Sequence, residues 1–263
     1  MSTCAIDDAF GGLPRLYGEA GFEILKNAHV CVVGVGGVGS WSAEGLARNA
    51  VGRITLIDHD DICRTNINRQ IHALQDTVGQ SKVGAMADRV TRINPECDCR
   101  AVDDFVTEAT LDRLLTREFD YVIDAIDSVR FKAAMIHYCK RNRIPVIATG
   151  GAGGLTDPTA IGIADLSKTH NDPLAAKVRA TLRRRYGFTR NPGRRFGVEC
   201  VFSRQQQVYP RPDGTVGHEK PGVRGTTLDC NTGYGSTSLV TAVFGLVAAA
   251  RVVNRLIGNC GKS

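Results

Sequence analysis

The sequence predicts an α/β protein whose core is a doubly wound, mostly parallel sheet. Short apolar and β-branched runs alternate with segments of helical periodicity from His29 to Thr149, and a glycine-rich turn follows the first run. Of the 263 residues, 43% are hydrophobic and 23% are charged, which excludes a disordered or collagen-like chain. We expect a single domain over residues 1–263, because α/β chains of this length commonly fold as one unit.

The predicted strands and helices follow one another in the order that βαβ units require. The runs with strand character are His29–Val33, Arg53–Asp58, residues 121–125, residues 145–149 and short stretches near Ile161 and Val201. Helical periodicity is found in residues 40–50, residues 80–93, a stretch from Thr107, a stretch from Pro173 and a last helix from about Ser236. The alternation weakens beyond the glycines at 150, 151, 153 and 154, so we expect an elaborated C-terminal half.

The turn after the first strand predicts a nucleotide site. It contains four glycines before the first helix, Gly34, Gly36, Gly37 and Gly39. Asp58 ends the next strand 19 residues after Gly39, as in the Rossmann-like dinucleotide fingerprint. Glycines let backbone approach a phosphate, the start of the helix offers partial positive charge, and Asp58 can accept hydrogen bonds from ribose hydroxyls. This pattern does not specify which nucleotide binds.

The residues beyond Asp58 favour phosphate chemistry over hydride transfer. This stretch holds the polar and cationic residues Asn66, Asn68, Arg69, Gln70 and Lys82. An α-phosphorus under attack accumulates negative charge, which fixed Arg and Lys side chains stabilise, usually together with Mg²⁺. Asp127 follows a buried strand at the carboxyl edge of the sheet, where it can hold that metal. Taken singly, Arg69 or Lys82 is more often part of a surface ion pair, so the interpretation depends on their joint placement.

A basic insertion within the domain, residues 167–195, indicates a polyanionic partner. It holds nine Lys or Arg residues and one Asp, a local net charge of +8 in a chain whose total is +6. Asp172 and Pro173 predict the start of a helix, and Gly187 its end. We expect binding of a polyphosphate backbone, for which the candidates are Lys177, Arg183, Arg184, Arg185, Arg194 and Arg195. The alternative is a solvated helix face followed by a basic loop.

Cysteine usage and hydropathy predict a cytoplasmic protein without a membrane span. The nine cysteines are an odd number without the spacing of a disulfide framework, and no signal peptide precedes Arg15. The longest apolar run, residues 239–250, has 12 residues, fewer than the roughly 18 to 20 of a membrane helix. We interpret it as a buried helix; the alternative is a membrane-associated helix packed through its Gly and Ala residues.

Several motifs resemble the E1-like adenylating superfamily of the ThiF, MoeB and HesA proteins. They are "GVGGVGS" at 34–40, "LIDHDDICRTNINRQ" at 56–70, "VGQSK" at 78–82 and "VIDAIDSVRFK" at 122–132. The motifs "RLYGEAG", "TGGAGG", "DPLAAK" and "GVECVFS" resemble its branch of tRNA threonylcarbamoyladenosine dehydratases. The resemblance extends from about Arg15 to the last helix and implies an E1-like (ThiF-type) fold.

The resemblance also implies a role for each matching residue. The glycines Gly34, Gly36 and Gly39 hold the nucleotide and Asp58 holds its ribose. The phosphates are contacted by Asn66, Arg69 and Lys82, and Mg²⁺ by Asp127. Arg15 reaches ATP bound to the other subunit, so a homodimer is implied. A solvent-exposed Arg15 without that role is the alternative.

Two departures from the superfamily favour a nucleic-acid substrate. Many ThiF and MoeB relatives carry paired CxxC zinc ligands, whereas the close cysteines here are Cys97 and Cys99 in CxC spacing. We therefore expect no structural zinc. The chain also has no rhodanese or ubiquitin-like module for sulfur transfer, and carries the basic 167–195 segment instead.

The resemblance implies ATP-dependent adenylation of the threonyl carboxylate of N6-threonylcarbamoyladenosine at position 37 of tRNA, followed by cyclisation by the substrate's own ureido group. Intramolecular attack of this kind reaches effective molarities of order 10⁵ M or more. No enzymic thiol is then required, although Cys230 is the candidate nucleophile by analogy with E1 thioester chemistry.

Two alternative functions stay open: activation of a ubiquitin-like sulfur carrier's terminal glycine, and an NAD-binding dehydrogenase or sensor. The resemblance further suggests a cysteine desulfurase or sulfur-acceptor system as a partner. The sequence leaves open whether a monovalent cation is bound.

Overall fold

The computed structural model describes residues 9–219 and 235–258 and has a seven-stranded sheet at its centre. The strand order is β3-β2-β1-β4-β5-β7-β6, and every neighbouring pair is parallel except β6 and β7. The chain order reverses between β1 and β4, so their carboxyl ends form the switch point at which doubly wound sheets bind ligands. The predicted α/β, mostly parallel architecture is confirmed.

The strands of this sheet are β1 (His29–Val33), β2 (Arg53–Asp58), β3 (Asp98–Asp103), β4 (Tyr121–Asp124), β5 (Val146–Thr149), β6 (Ile161–Asp165) and β7 (Glu199–Ser203). The helices are α1 (Gly12–Asn27), α2 (Gly39–Arg48), α3 (Lys82–Ile93), α4 (Leu111–Leu114), α5 (Val129–Asn142), α6 (Pro173–Arg185) and α7 (Ser238–Gly258). A two-stranded antiparallel pair, β8 (Tyr209–Pro210) and β9 (Val216–Gly217), lies outside the large sheet.

The sequence pattern did not predict helix α1 or strand β3, and the other differences lie mainly at the helix ends. Helix α3 begins at Lys82, because the Ser81 side chain accepts a hydrogen bond from Gly84 N and caps the helix there. The stretch from Thr107 forms the single turn α4, because the hydroxyl of Thr110 bonds the Phe105 carbonyl and ties the preceding residues into a turn. Helix α6 ends at Arg185, and Gly187 adopts the positive φ of +69° expected of a helix stop.

The central strands β1, β2, β4 and β5 are buried on both faces of the sheet. Alternate residues of β1 point to opposite sides: Val30 and Val32 join the core beneath α2 and α7, whereas Cys31 and Val33 join the core beneath α5 and α6. Burial on both faces explains why these four strands are mainly apolar runs, whereas the exposed edge strand β3 is polar. The core therefore fixes the strands and leaves their carboxyl ends to carry the polar residues.

Helix α7 is the apolar segment near the C-terminus. By length and composition it is the one helix among the described residues that could cross a membrane, which is weak evidence by itself. Its residues Val240, Phe244, Ala248 and Val252 are fully buried at helical spacing in the core beside α2. The interpretation of residues 239–250 as a buried helix is confirmed for this face.

Candidate functional site

The glycine-rich turn connects β1 to α2 at the switch point. Gly34 has a φ of +86°, and a Cβ there would lie 2.9 Å from the backbone of Ala125, so the turn after β4 packs directly against it. A Cβ on Gly39 would overlap the Gly34 carbonyl oxygen. The close packing of this turn accounts for these two glycines, and it brings the loops that follow β1 and β4 into contact.

Asp58, the predicted ribose ligand, lies beside this turn. Its Oδ2 accepts a hydrogen bond from Val35 N at 2.6 Å, and its Oδ1 accepts one from Asp60 N at 2.9 Å. The two bonds fix the carboxylate between the glycine turn and the segment that follows β2. A ribose bound on the turn would meet an oriented carboxylate, as the sequence predicts.

Arg69 packs over the glycine turn. A Cβ on Gly37 would lie 3.4 Å from Arg69 Cγ, and the Arg69 carbonyl accepts hydrogen bonds from Trp41 Nε1 at 3.0 Å and Thr241 Oγ1 at 3.2 Å. Helices α2 and α7 thus both hold the Arg69 backbone. The Arg69 guanidinium donates to the Thr65 carbonyl oxygen at 2.6 Å.

Asn66 and Gln70 are buried beneath the same segment. Asn66 Oδ1 accepts a hydrogen bond from Cys63 N at 3.0 Å, so this side chain also closes a local turn. Gln70 lies against Gly36, whose Cβ would be 3.9 Å from Gln70 Nε2. The Gln70 amide oxygen is buried and has no hydrogen-bond partner. Both predicted nucleotide-binding residues therefore lie beside the turn.

Lys82 begins helix α3, where its ammonium group donates to Asp60 Oδ2 at 2.6 Å. The Lys82 side chain is buried. Burial and the nearby cations Lys82 and Arg89 lower the pKa of His72 to about 4, so this histidine is neutral at pH 7. The positive charge around Lys82 comes from lysine and arginine alone, and it suits a phosphate group.

Asp127 lies in the four-residue connection between β4 and α5 and is exposed. This is the connection that packs against Gly34, so the Asp127 backbone is near the glycine turn. Within residues 9–219 and 235–258 there is no group of three or more metal-ligating side chains. A single exposed carboxylate fits a Mg²⁺ ion whose other ligands are phosphate oxygens and water.

The sequence did not single out a buried ion pair at the same edge. Lys132 Nζ donates to Asp124 Oδ1 at 2.6 Å and to the Asp124 carbonyl at 3.1 Å, and both side chains are almost fully buried. Burial raises the pKa of Asp124, and Lys132 opposes that rise. The pair joins the end of β4 to the first turn of α5, on either side of Asp127. The sequence did contain a signal for this pair, because a carboxylate ends an apolar strand and a lysine follows it eight residues later.

The basic segment divides into inward and outward cations. Arg183 lies over the Phe196 ring at 5.3 Å and donates to the Thr189 carbonyl, so the structure does not present it as a free phosphate ligand. Arg185 lies 3.7 Å from Glu108, which also pairs with Arg130. The exposed cations for which the described residues provide neither an ion pair nor a side-chain hydrogen bond are Lys177, Arg184, Arg190, Arg194 and Arg195.

Arg15, a further predicted site residue, is not joined to the site within this chain. Arg15 is exposed on α1, and its Nε donates to the Gly11 carbonyl at 2.9 Å. Cys230 lies outside the described residues. The buried Cys200 has a strongly raised pKa because of desolvation, which makes it a poor nucleophile.

Comparison with known proteins identifies close relatives. The ThiF family model matches residues 12–263. The tRNA threonylcarbamoyladenosine dehydratase of Escherichia coli (strain K12) is 52% identical over 254 residues, covering 96% of this chain and 95% of the relative. That of Haemophilus influenzae is 50% identical over 95% of this chain and 94% of the relative. The crystal structure of the Escherichia coli enzyme, TcdA, in complex with ATP superposes with a TM-score of 0.88 at 47% identity, covering 100% of this chain and 99% of the other.

Proposed function

This chain belongs to the ThiF family, and we propose that it catalyses the ATP-dependent dehydration of N6-threonylcarbamoyladenosine at position 37 of tRNA. The observation that carries the proposal is the packing of Arg69 on Gly37, beside the oriented carboxylate of Asp58. The dehydratase relatives also align with this chain over nearly their whole length. Both observations support adenylation at the carboxyl edge of the sheet.

In the first step, an oxygen of the threonyl carboxylate attacks the α-phosphorus of ATP and pyrophosphate leaves. Negative charge develops on the phosphoryl oxygens in the transition state. Arg69 and Lys82 supply fixed positive charge for it, and Lys82 needs no reorganisation because Asp60 already holds it. The backbone amides at the start of α2 add partial positive charge near the phosphates.

In the second step, the ureido group of the same substrate attacks the activated carbonyl and AMP leaves. The carboxylate oxygen that bonded to phosphorus departs with AMP and the ureido proton is released, so the net change in the nucleoside is the loss of one water. The attack forms a ring within one molecule and benefits from proximity. No protein thiol takes part in this route.

Mg²⁺ is the metal that this site suits. Asp127 would hold it, since the carboxylate is exposed and its loop contacts the glycine turn. When bound, Mg²⁺ neutralises part of the triphosphate charge. Asp124 and Lys132 fix the two ends of the Asp127 connection and thereby limit where the Asp127 carboxylate can point.

The outward cations of the basic segment are the proposed tRNA contacts. Glu108 follows β3 at the carboxyl edge of the sheet, and its contact with Arg185 brings the basic end of α6 to that edge. A tRNA backbone bound there lies on the same edge as the nucleotide. The exposed Arg15 suits a homodimer in which it completes the partner's ATP site. A tRNA substrate also fits the predicted cytoplasmic location, and the expected sulfur-transfer partner stays a prediction.

The experiment is mass spectrometry of nucleosides from tRNA incubated with the purified protein, ATP and Mg²⁺. We expect N6-threonylcarbamoyladenosine to lose one water, with one AMP formed for each nucleoside converted. The Lys82→Ala variant serves as the inactive control. Pyrophosphate exchange that depends on a small protein ending in Gly-Gly, with no change in the tRNA, would contradict the proposal.

A further inference from the structure

A second glycine-rich loop, residues 150–154, follows β5 on the same edge of the sheet. Strand β5 pairs with β4 in a register that places Ala148 beside Asp124. Gly151 therefore follows Ala148 by three residues, as Asp127 follows Asp124 by three residues. The Thr149 hydroxyl donates to the Asp124 carbonyl at 3.2 Å and joins the two strand ends. The second loop is thus a neighbour of the proposed metal ligand.

Contacts from three directions hold this loop. Gly150 N donates to the Val201 carbonyl at 2.8 Å, and Gly151 N donates to Asp172 Oδ2 at 3.1 Å. Gln207 Nε2 donates to the Gly153 carbonyl at 2.9 Å. Asp172 is buried, and its other oxygen, Oδ1, accepts from Ala175 N and caps α6. One carboxylate therefore fastens the loop to the first turn of the basic helix.

The fold explains the glycine at 150 but not the one at 151. A Cβ on Gly150 would overlap Asp172 Oδ2, so no side chain fits there. Gly151 does not have a positive φ, and its Cβ would meet Gln207 Nε2 at 3.4 Å, an ordinary contact distance. The half-exposed residues 151–153 present little besides backbone and one methyl group. A Cβ at 151 would lie on the side of the loop lined by Gln207, Leu174 and Asp172, so a glycine there leaves room beside the Gln207 amide.

Gln207 gives an independent indication of a ligand. Its side chain is about 95% buried against the loop, and its amide oxygen has no hydrogen-bond partner among the described residues. A buried acceptor without a donor is costly unless a bound group supplies one. A ureido group carries N–H donors and matches this acceptor.

We propose that the loop 150–154 is the subsite for the threonylcarbamoyl side chain of the substrate, and that Asp172 is a positioning residue that holds this loop against helix α6. The inference rests on the proposed function, because the ligand is its substrate. A tRNA held by the outward cations of the basic segment would present its modified base to a loop bonded to that same segment. The side chain would then lie next to Asp127 and within reach of the α-phosphate.

Two variants of the full-length protein test the subsite, with dehydration of tRNA and ATP affinity measured in parallel. Gly151→Ala adds one methyl group between the loop and the Gln207 amide. Asp172→Ser keeps a capping oxygen for α6 and loses the acceptor for Gly151 N. For each variant we expect kcat/KM for the modified tRNA to fall tenfold or more, with Kd for ATP within twofold of the wild-type value.

Matched controls separate positioning from stability. Gly162→Ala adds a methyl group at a glycine that has no atoms within 4 Å of the new Cβ. Asp165→Ser alters a half-buried carboxylate. This carboxylate caps a short helix by accepting from Ser167 N, and it also accepts from Phe196 N. We expect both controls to keep the wild-type kcat/KM for tRNA.

The outcomes for the two proposals differ. A wild-type protein that leaves the modified nucleoside unchanged would overturn the proposed function. An active wild-type protein whose Gly151→Ala variant turns over tRNA at the wild-type rate would overturn the subsite alone. Equal losses of ATP affinity and tRNA turnover in Asp172→Ser, with a matching loss of thermal stability, would assign Asp172 a purely structural role.

Discussion

The buried ammonium group of Lys82 is held 2.6 Å from Asp60 Oδ2, and the Asp60 side chain is 63% exposed. A lysine at the start of a helix is thus fixed in position by a carboxylate that stays in contact with water. The arrangement provides positive charge at the edge of the sheet and leaves Asp60 solvated. It also means that the lysine can be removed without stranding a buried carboxylate.

For Lys82→Ala we therefore expect a folded protein with kcat lowered by about 10²- to 10³-fold, since a charge that stabilises the transition state is lost. Steady-state AMP formation and a thermal melt measure the two effects. Arg100→Ala, which breaks an exposed pair with Asp98, serves as the control and keeps wild-type turnover. A Lys82→Ala protein that is unfolded would make the lysine structural.

The division of the basic segment predicts two kinds of variant. Removing Arg184, Arg194 and Arg195 together should weaken tRNA binding and reduce the slope of log K against log salt by about one per lost phosphate contact, without changing ATP affinity. Arg183→Ala should instead lower stability by roughly 0.5–1 kcal/mol through the loss of its contact with the Phe196 ring. Filter binding across a salt series and thermal melts distinguish the two. An unchanged slope in the triple variant would make those cations a solvated face.

Cys230 provides a test of the second chemical step. Because the ureido group of the substrate is the proposed nucleophile, Cys230→Ser should keep tRNA dehydration within about threefold of the wild-type rate. Single-turnover assays with modified tRNA measure that rate. A loss of the cyclic product with continued formation of the acyl-adenylate would instead assign the thiol a covalent role.

Glu199 predicts a pH dependence of stability. It accepts hydrogen bonds from Arg251 and Arg255, and these interactions lower its pKa to about 2, chiefly through the bond from Arg251. A carboxyl whose folded pKa is depressed stabilises the protein above its unfolded pKa, near 4.3, and loses that contribution as pH falls toward 2. Glu199→Gln should lower the free energy of unfolding by on the order of 1 kcal/mol at pH 7, because partial exposure screens the pairs.

Denaturant unfolding at several pH values checks this expectation. The difference between wild type and Glu199→Gln should shrink as pH falls from about 4.5 to 2. Asp98→Asn, which alters an exposed pair, should show little difference at any pH. A difference that is constant with pH would mean that packing of β7 against α7, and not charge, accounts for the effect.

The parallel sheet and the nucleotide edge could be predicted because their signals are local. The central strands β1, β2, β4 and β5 are mainly apolar runs, and the four glycines stand between a strand and a helix. Asp58 and Asp127 follow such strands, so the sheet order alone brings them to one edge. The helix start at Asp172 and Pro173 was equally local, and the structure confirms its capping bond.

The rest depends on contacts between residues distant in sequence. Asp172 bonds Gly151, which lies 21 residues earlier, and nothing in the spacing indicates which way the second carboxylate oxygen points. The sequence does not distinguish Arg183 from its neighbours Arg184 and Arg185. Arg183 points inward because it packs over the Phe196 ring. The Lys132 and Asp124 pair required knowing that both side chains are buried. Tertiary packing decides such roles, and a single sequence does not encode them in a readable pattern.

The most direct test of the central claim follows oxygen from the substrate carboxylate. The tRNA is prepared with threonine labelled with ¹⁸O at both carboxyl oxygens and is incubated with the protein, ATP and Mg²⁺. If the carboxylate attacks the α-phosphorus, each AMP released carries one ¹⁸O atom and the cyclised nucleoside retains the other. Unlabelled AMP, or label found in inorganic phosphate with ADP as the other product, would contradict adenylation at this site.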